Sequence, residues 1–430
     1  MTRRFVAARA RAARGRWRFA HLIDPLELPV PACPVSPAES VAEALDRWRA
    51  GYRVQVLRSE FLDVLALVPD PRDPRGRRYP LTGLLAIAIL ATAAGMRGYA
   101  GFATWARTAP EEVLAQLGIR SRRPSEKTFR TVLARLDPAE LDRQLGAYFT
   151  ALAAADCAEA GLLAVALDGK TLRGARRAGA GAAHLVSVFA HHTRLVLGQL
   201  AVAEKSNEIP CVRKLLKLFQ QTRLLVTMDA MHTQTATAKL ICSTLKSHYL
   251  MIVKQNQPKL LARIQALPWT KVPVTATDDD HGHGRDERRT LKVLTAARGI
   301  GFPYAKQVVQ ITRERVLTAT GETSREIVYA ICSLPFEHAR PTTIGAWLRK
   351  HWGIENSVHW VRDVTFDEDR STIRTGNAPQ VVAALRNTAL NLHRVAEAPN
   401  IAEACRATAL SSNRGLNLLT DPQIRRPRAC

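Results

Sequence analysis

From Phe61 onward the apolar positions recur every three or four residues, and that spacing predicts helices. Pro69 to Pro74 (PDPRDP) interrupts the pattern, and the uncharged run Leu81–Met96 (LTGLLAIAILATAAGM) then predicts a helix buried on every side. Amphipathic stretches follow at Ala103–Leu117, Glu126–Leu136 and Pro138–Ala154, with Ser125 placed to cap the second. The period then changes. Short apolar runs at Leu162–Leu167, Leu185–Ala190, Leu195–Val202, Leu224–Met228 and Tyr249–Val253 predict strands, and Glu208–Phe219 and Thr233–Lys246 predict helices between them. The order β-β-β-α-β-α-β is that of a ribonuclease-H-like fold, a mixed sheet flanked by helices. Strands without polar alternation predict that both faces are covered. Further strands at Thr290–Leu294, Ala305–Ile311 and Glu326–Ser333 predict an inserted β-rich piece, and helix returns at Ile344–Val361 and Ala378–Val395.

The fold class expected is therefore α/β, a ribonuclease-H-like catalytic core interrupted by a β-rich insertion and preceded by an all-α module. In a chain of 430 residues, 47% of them hydrophobic, there is material for two or three cores. The expected division is a basic arm and linker over 1–57, with a short helix at Ala42–Ala50, and a helical module over 58–155. The α/β core over 156–400 follows, with its insertion at about 258–341, and then a flexible basic tail over 401–430. A net charge of +24, mostly from arginine, draws phosphate polyanions, so nucleic acid is the expected partner and a lipid surface or acidic protein the competing one. The apolar run at Leu81–Met96 is shorter than the roughly 20 residues a bilayer needs, so no membrane partner is expected. Seven scattered cysteines with no CxxC pair suit a reducing, cytoplasmic setting. His191, His192, His281 and His283 have no cysteine at metal spacing, which argues against zinc.

Two aspartates follow apolar strands: Asp168 in ALDGK and Asp229 in VTMDAMH. A strand-end aspartate often only caps a turn, yet strand ends are also where acids gather around ligands in open α/β sheets. In a ribonuclease-H-like sheet the first and fourth strands are neighbours, which would set these carboxylates side by side. Such a pair repels itself unless a cation intervenes, and magnesium, with manganese as a substitute, is the expected one. Two ions about 3.5–4 Å apart serve in-line phosphoryl transfer, and a third carboxylate completes their ligands. Glu355 in HWGIENSVHW is the candidate, with Asp363, Asp367, Glu368 and Asp369 as rivals in what reads as a helix exit. Trp352 and Trp360, on the same predicted helix, are expected in the core.

Six motifs fall in an order that resembles the bacterial insertion-sequence transposases of the H-repeat-associated group (ISAs), within the DDE superfamily. They are DGKTLRG (168–174), KSNEI (205–209), VTMDAMHTQ (226–234), VKQNQ (253–257), HGRDERR (283–289) and HWGIENSVHWVRDVTFDED (351–369). PDPRDPRGRRYPL (69–81) and RPSEKTF (123–129) are similar to that group's associated helical domain. The resemblance implies a DNA transposase that cuts and rejoins element ends, with Asp168, Asp229 and Glu355 as catalytic, metal-binding acids. Its partners would be double-stranded DNA, as terminal repeats and as target, bound by a dimer, in a cytoplasmic, nucleoid-associated protein. Lys170 and Arg173 would flank the cut strand, and Lys254, Asn256 and Gln257 would face DNA. The wider group carries a tyrosine and an arginine before the glutamate and a lysine after it. Leu348, His351 and Arg362 stand at those offsets here, with Arg349 nearby; Arg362 can still clamp a phosphate, and more rigidly than lysine. The alternative is a transposase-derived DNA-binding protein that has lost catalysis.

Overall fold

Helices open the part of the chain that the computed structural model describes, residues 61–120, 122–155, 161–176, 182–202, 207–282 and 284–420. The basic arm, the helix expected at Ala42–Ala50, Lys205, His283 and the last ten residues lie outside the described residues. The helices are α1 (Phe61–Ala66), α2 (Leu81–Ala93), α3 (Gly98–Thr108), α4 (Glu111–Gln116), α5 (Glu126–Arg135) and α6 (Pro138–Ala155). The single helix expected over Ala103–Leu117 is two, because Pro110 has no N–H to continue the ladder and instead starts α4. Ser125 caps α5 by accepting from the Thr128 N–H, as its position predicts.

Every residue of α2 except Thr82 is buried. The helix is apolar all round because protein surrounds it: α1 and α3 pack on it from one side, and the long C-terminal helix α12 (Ala378–Val395) from another. His393 of α12 donates from Nε2 to the Ala93 carbonyl at 2.9 Å. Among the described residues no single helix is long and apolar enough to cross a membrane; α2 and α3 suffice only together, and they bend by 101° at their break.

Among the described residues nine strands form one sheet. They are β1 (Leu163–Thr171), β2 (His184–Ala190), β3 (Val196–Ala201), β4 (Leu224–Met228), β5 (His248–Val253), β6 (Ala276–Gly282), β7 (Arg285–Thr295), β8 (Gln307–Leu317) and β9 (Thr323–Cys332). Their order is β3-β2-β1-β4-β5-β9-β8-β7-β6. β1, β4 and β5 run parallel; β2 is antiparallel to β1, and β3 is antiparallel to β2 and so runs in the direction of β1. The strands expected as an insertion continue this sheet: β9 pairs with β5, and β8, β7 and β6 follow outward. Between strands lie α7 (Glu208–Lys217), α8 (Thr235–Lys239), which runs into a π turn over Leu240–Thr244, and α9 (Pro258–Gln265). β2 and β4 are buried at every residue, so both faces are covered as their unbroken apolar runs predict.

α6 lies against the edge strand so closely that a Cβ on Gly146 would sit 2.4 Å from the Leu197 carbonyl oxygen. A backbone oxygen held in β3 cannot swing away, so Gly146→Ala is expected to cost about 1–3 kcal/mol. The loss would read out as a lower urea midpoint with an unchanged slope.

After the sheet come α10 (Pro341–His351), α11 (Trp360–Val364) and α12, then α13 (Ile401–Ala409) and α14 (Ser412–Thr420). The last two correct the expected solvated tail: as far as Thr420 it is helical, with Cys405, Leu416, Leu418 and Leu419 buried. These apolar positions recur at helical spacing, so the segment has a face to bury in spite of its polar average. One continuous apolar core joins α1–α6, the parallel part of the sheet and α12–α14.

Candidate active site

The parallel ladder between β1 and β4 ends at the pair Leu167–Met228. Asp168 and Asp229 are the next residues on the two neighbouring strands. β4 stops there, but β1 does not: Asp168 lies inside it, paired with Ser187 of β2. The antiparallel partner extends β1 past the apolar run, so a strand read from hydrophobicity alone ends too soon.

The two carboxyls sit in different surroundings. Burial first, then the charge of Asp229, pushes Asp168 well above the ordinary carboxylate range; Glu208 and Glu355 add to the repulsion, and the Gly169 N–H, donating at 2.8 Å, opposes it. His359 Nδ1 lies 3.4 Å from Asp168 Oδ2. Burial, with Lys170 and Arg362 nearby, drives the pKa of that imidazole down to about 3, so at neutral pH it brings no positive charge to Asp168. Asp229 is held below the usual range, chiefly by its hydrogen bond with His351, whose Nε2 is 3.3 Å away; burial opposes this and Lys254 assists it. His351 is itself anchored, its Nδ1 lying 3.0 Å from Thr227 Oγ1, which is hydrogen-bonded to His191 as well and donates to the Val165 carbonyl.

Glu355 opens a π-helical turn, Glu355–His359, between α10 and α11. Such a turn widens a helix by one residue, and in functional proteins it commonly marks a site. Glu355 and Asp229 line one cavity of about 620 Å³, together with Lys254, Arg289, Arg313 and Arg315. Trp352 and Trp360 are 38% and 49% exposed, against the expectation that both are core; Arg313 stacks over the Trp352 ring at 6.0 Å. The rivals of Glu355 are each engaged elsewhere: Asp363 with Lys170, Asp367 with Arg97, Asp369 with Arg173, and Glu368 with Arg362 and Arg386.

The residues expected to face DNA divide into two groups. Lys254 is exposed at the cavity, and Arg173 is exposed 3.4 Å from Asp369. Arg349 is ion-paired with Asp278 and Asp280 at the same cavity. Lys170 is 8% exposed and donates to both oxygens of Asp363 at 2.7 Å. Arg362 is fully buried, so the phosphate clamp expected of it is corrected: its guanidinium is spent on Glu368 and on Asn387. Asn256 and Gln257 donate to the carbonyls of Ala230 and Thr233 and so brace the turn that follows Asp229.

One cluster went unread in the sequence. Glu208, His184 and His232 meet beside Gly169, the residue after Asp168, all buried. KSNEI was the available signal, but a glutamate at a helix start reads by default as a partner of the helix dipole.

Asp168, Asp229 and Glu355 supply hard oxygen donors, and their mutual repulsion with a neutral imidazole beside Asp168 suits a divalent cation. Among the described residues no group of three or more His, Cys, Asp or Glu side chains is placed so that it could hold a metal ion. Asp229 and Glu355 share the cavity, Asp168 is not among the residues that line it, and the three acids do not converge on one point.

The chain belongs to the transposase DDE domain family, whose model matches residues 159–392. A second model, described as DDE_Tnp_1-associated, matches residues 62–149. Within that superfamily the chain is related to H repeat-associated putative transposases, as its motifs imply. It is 29% identical to the putative transposase YncI of Escherichia coli O157:H7, over 77% of this chain and 87% of the relative. It is 27% identical to the H repeat-associated putative transposase YhhI of Escherichia coli K12, over 77% and 90%. A solved piggyBac transposase synaptic complex with hairpin DNA aligns with 89% of this chain and 82% of its own, at a TM-score of 0.39 and 10% identity, too loosely to transfer any detail.

Proposed function

We propose that this transposase binds the ends of its own mobile element as duplex DNA and performs metal-dependent strand cleavage and strand transfer. The observation that carries the reading is the placement of Asp168 and Asp229 on adjacent parallel strands, one residue past their last shared pair, with Glu355 acting electrostatically on Asp168. The strand order β3-β2-β1-β4-β5, antiparallel then parallel, supports a ribonuclease-H-like core. Residues 58–155 are read as an associated module, and a dimer on DNA follows from the need to pair two ends.

Asp168, Asp229 and Glu355 would hold two magnesium ions, which when bound supply a nucleophile at neutral pH and offset charge on the transferring phosphoryl group. In the first reaction a water oxygen bonds to phosphorus and the P–O3′ bond breaks, leaving a 3′-hydroxyl on the element and a 5′-phosphate on the flank. In the second, that hydroxyl oxygen bonds to a target phosphorus and the target's own P–O3′ bond breaks, leaving a 3′-hydroxyl on the target strand. The part of the protein is to orient and to hold. His351, anchored through Thr227, fixes Asp229, while Lys254 offers donors to the phosphates of a strand in the cavity, where Arg289, Arg313 and Arg315 are held in ion pairs with Glu287.

The test is a plasmid carrying the gene and its flanks, incubated with the protein. Nicks at the element ends are expected with magnesium or manganese and none in EDTA. Cutting that persists in EDTA, or DNA left intact with either metal, would overturn the reading. Binding is expected to weaken by about 10³–10⁵ between roughly 50 and 200 mM salt if six to ten phosphates are contacted.

A further inference from the structure

Beyond Leu167–Met228 the β1–β4 ladder has no further pair, so ladder bonds do not set the separation of Asp168 from Asp229. Whatever braces the exits of the two strands sets it. One buried acid reaches both. Glu208 is 5% exposed and begins α7, directly after the capping residue Asn207, whose side chain accepts from the Ile209 N–H. Its Oε1 lies 2.7 Å from His184 Nε2, and its Oε2 3.2 Å from His232 Nε2.

The two histidines belong to different walls. His184 starts β2, and its Nδ1 is 3.0 Å from Thr171 Oγ1, on β1 three residues beyond Asp168. His232 ends the turn that follows Asp229, and its backbone N–H donates to the Asp229 carbonyl at 3.0 Å. The carboxylate also presses on the backbone beside Asp168: a Cβ on Gly169 would sit 2.5 Å from Glu208 Oε1 and equally close to His184 Nε2. Glycine at 169 is what lets the brace approach.

Resting on the metal-dependent reading above, we infer that Glu208 is a positioning residue for the acid pair, gripping His184 and His232 to fix the gap between Asp168 and Asp229. Both carboxylate oxygens are used, so the link is rigid in a way that one hydrogen bond would not be. The bonds from His184 and His232 hold the Glu208 pKa down to about 2 in spite of burial, so the brace is ionised at neutral pH. That charge adds to the repulsion felt by Asp168 and thus favours a cation there over bare carboxylates.

The experiment is Mn²⁺ binding to the full chain, followed by electron paramagnetic resonance, for the parent, Glu208→Gln and His232→Leu, with Asp229→Ala as the non-binding control. Duplex affinity and melting temperature are measured on the same samples. Supporting groups around metal ligands are worth about 10–100-fold in metal affinity. Glu208→Gln is expected to weaken Mn²⁺ by at least about tenfold, with duplex affinity unchanged and cleavage partly restored by excess Mn²⁺. His232→Leu leaves the Glu208–His184 pair intact and removes the donor that links Glu208 to the Asp229 turn, so it is expected to shift in the same direction. It carries the test if Glu208→Gln does not fold. A folded variant of either kind that binds Mn²⁺ as the parent does overturns the brace while the metal reading stands. A parent that binds no Mn²⁺ overturns both.

Discussion

Asp168→Asn is expected to abolish strand cleavage while raising the melting temperature of the metal-free protein at neutral pH. Both effects come from one carboxyl. Burial and the charges of Asp229, Glu208 and Glu355 raise its pKa in the folded chain, and with no metal bound its ionised form is a liability. The sign follows from proton binding. Between the unfolded value, about 3.9, and the raised folded value, the folded state holds more protons than the unfolded one, so stability falls as pH rises through that window. The amide removes the charge and the slope with it. The amide also removes an anionic ligand, so cleavage should drop below about one-thousandth of the parent rate, a loss of about 4 kcal/mol in transition-state stabilisation. Magnesium should raise the melting temperature of the parent, since it binds only the folded site, and leave the variant unmoved. Cleavage within tenfold of the parent, or an equal response to magnesium, would remove Asp168 from the metal site.

Much of this site was legible because its residues interrupt strong patterns. Asp168 and Asp229 stand out as charges ending unbroken apolar runs, and the strand order puts them next to each other before any coordinate is seen. What stayed hidden depends on partners far away in the chain. Arg362, at an offset suggesting a phosphate clamp, is buried because Glu368 and Arg386 meet it there, and nothing local to Arg362 announces Arg386 on α12. Trp352 and Trp360 read as core from hydrophobicity, yet the π turn between them changes the helical phase and leaves both partly exposed, Trp352 in the lining of the cavity. The helices from 401 to 420 were missed because their polar residues dominate the average, while the few apolar ones fall on a single face. Glu208 was missed for a related reason, since its two histidines lie 24 residues away on either side.

Glu368→Gln is expected to cost about 3–5 kcal/mol in folding free energy, the range for breaking a buried ion pair by removing one partner. The side chains of Arg362, Glu368 and Arg386 are 0%, 1% and 7% exposed. Glu368 takes hydrogen bonds from Arg362 Nε at 3.0 Å and NH2 at 2.9 Å, and from Arg386 NH1 at 2.9 Å. A neutral amide would leave two guanidiniums buried without the carboxylate that bonds to both. Arg362 and Arg386 hold the Glu368 pKa down to about 2 against its burial. Stability from this group is therefore fully present above the usual glutamate range and is lost as pH falls towards about 2. Urea titrations of parent and variant at a series of pH values would show both effects, a lower midpoint near neutrality and a flatter fall on the acid side. The consequence reaches the active site, because Arg362 is on α11, directly after the π turn that carries Glu355. Loosening the triad frees that turn, so cleavage should fall further than the loss of folded protein explains. A variant whose remaining folded fraction cuts DNA at the parent rate would show instead that the triad holds the fold and leaves Glu355 where it was.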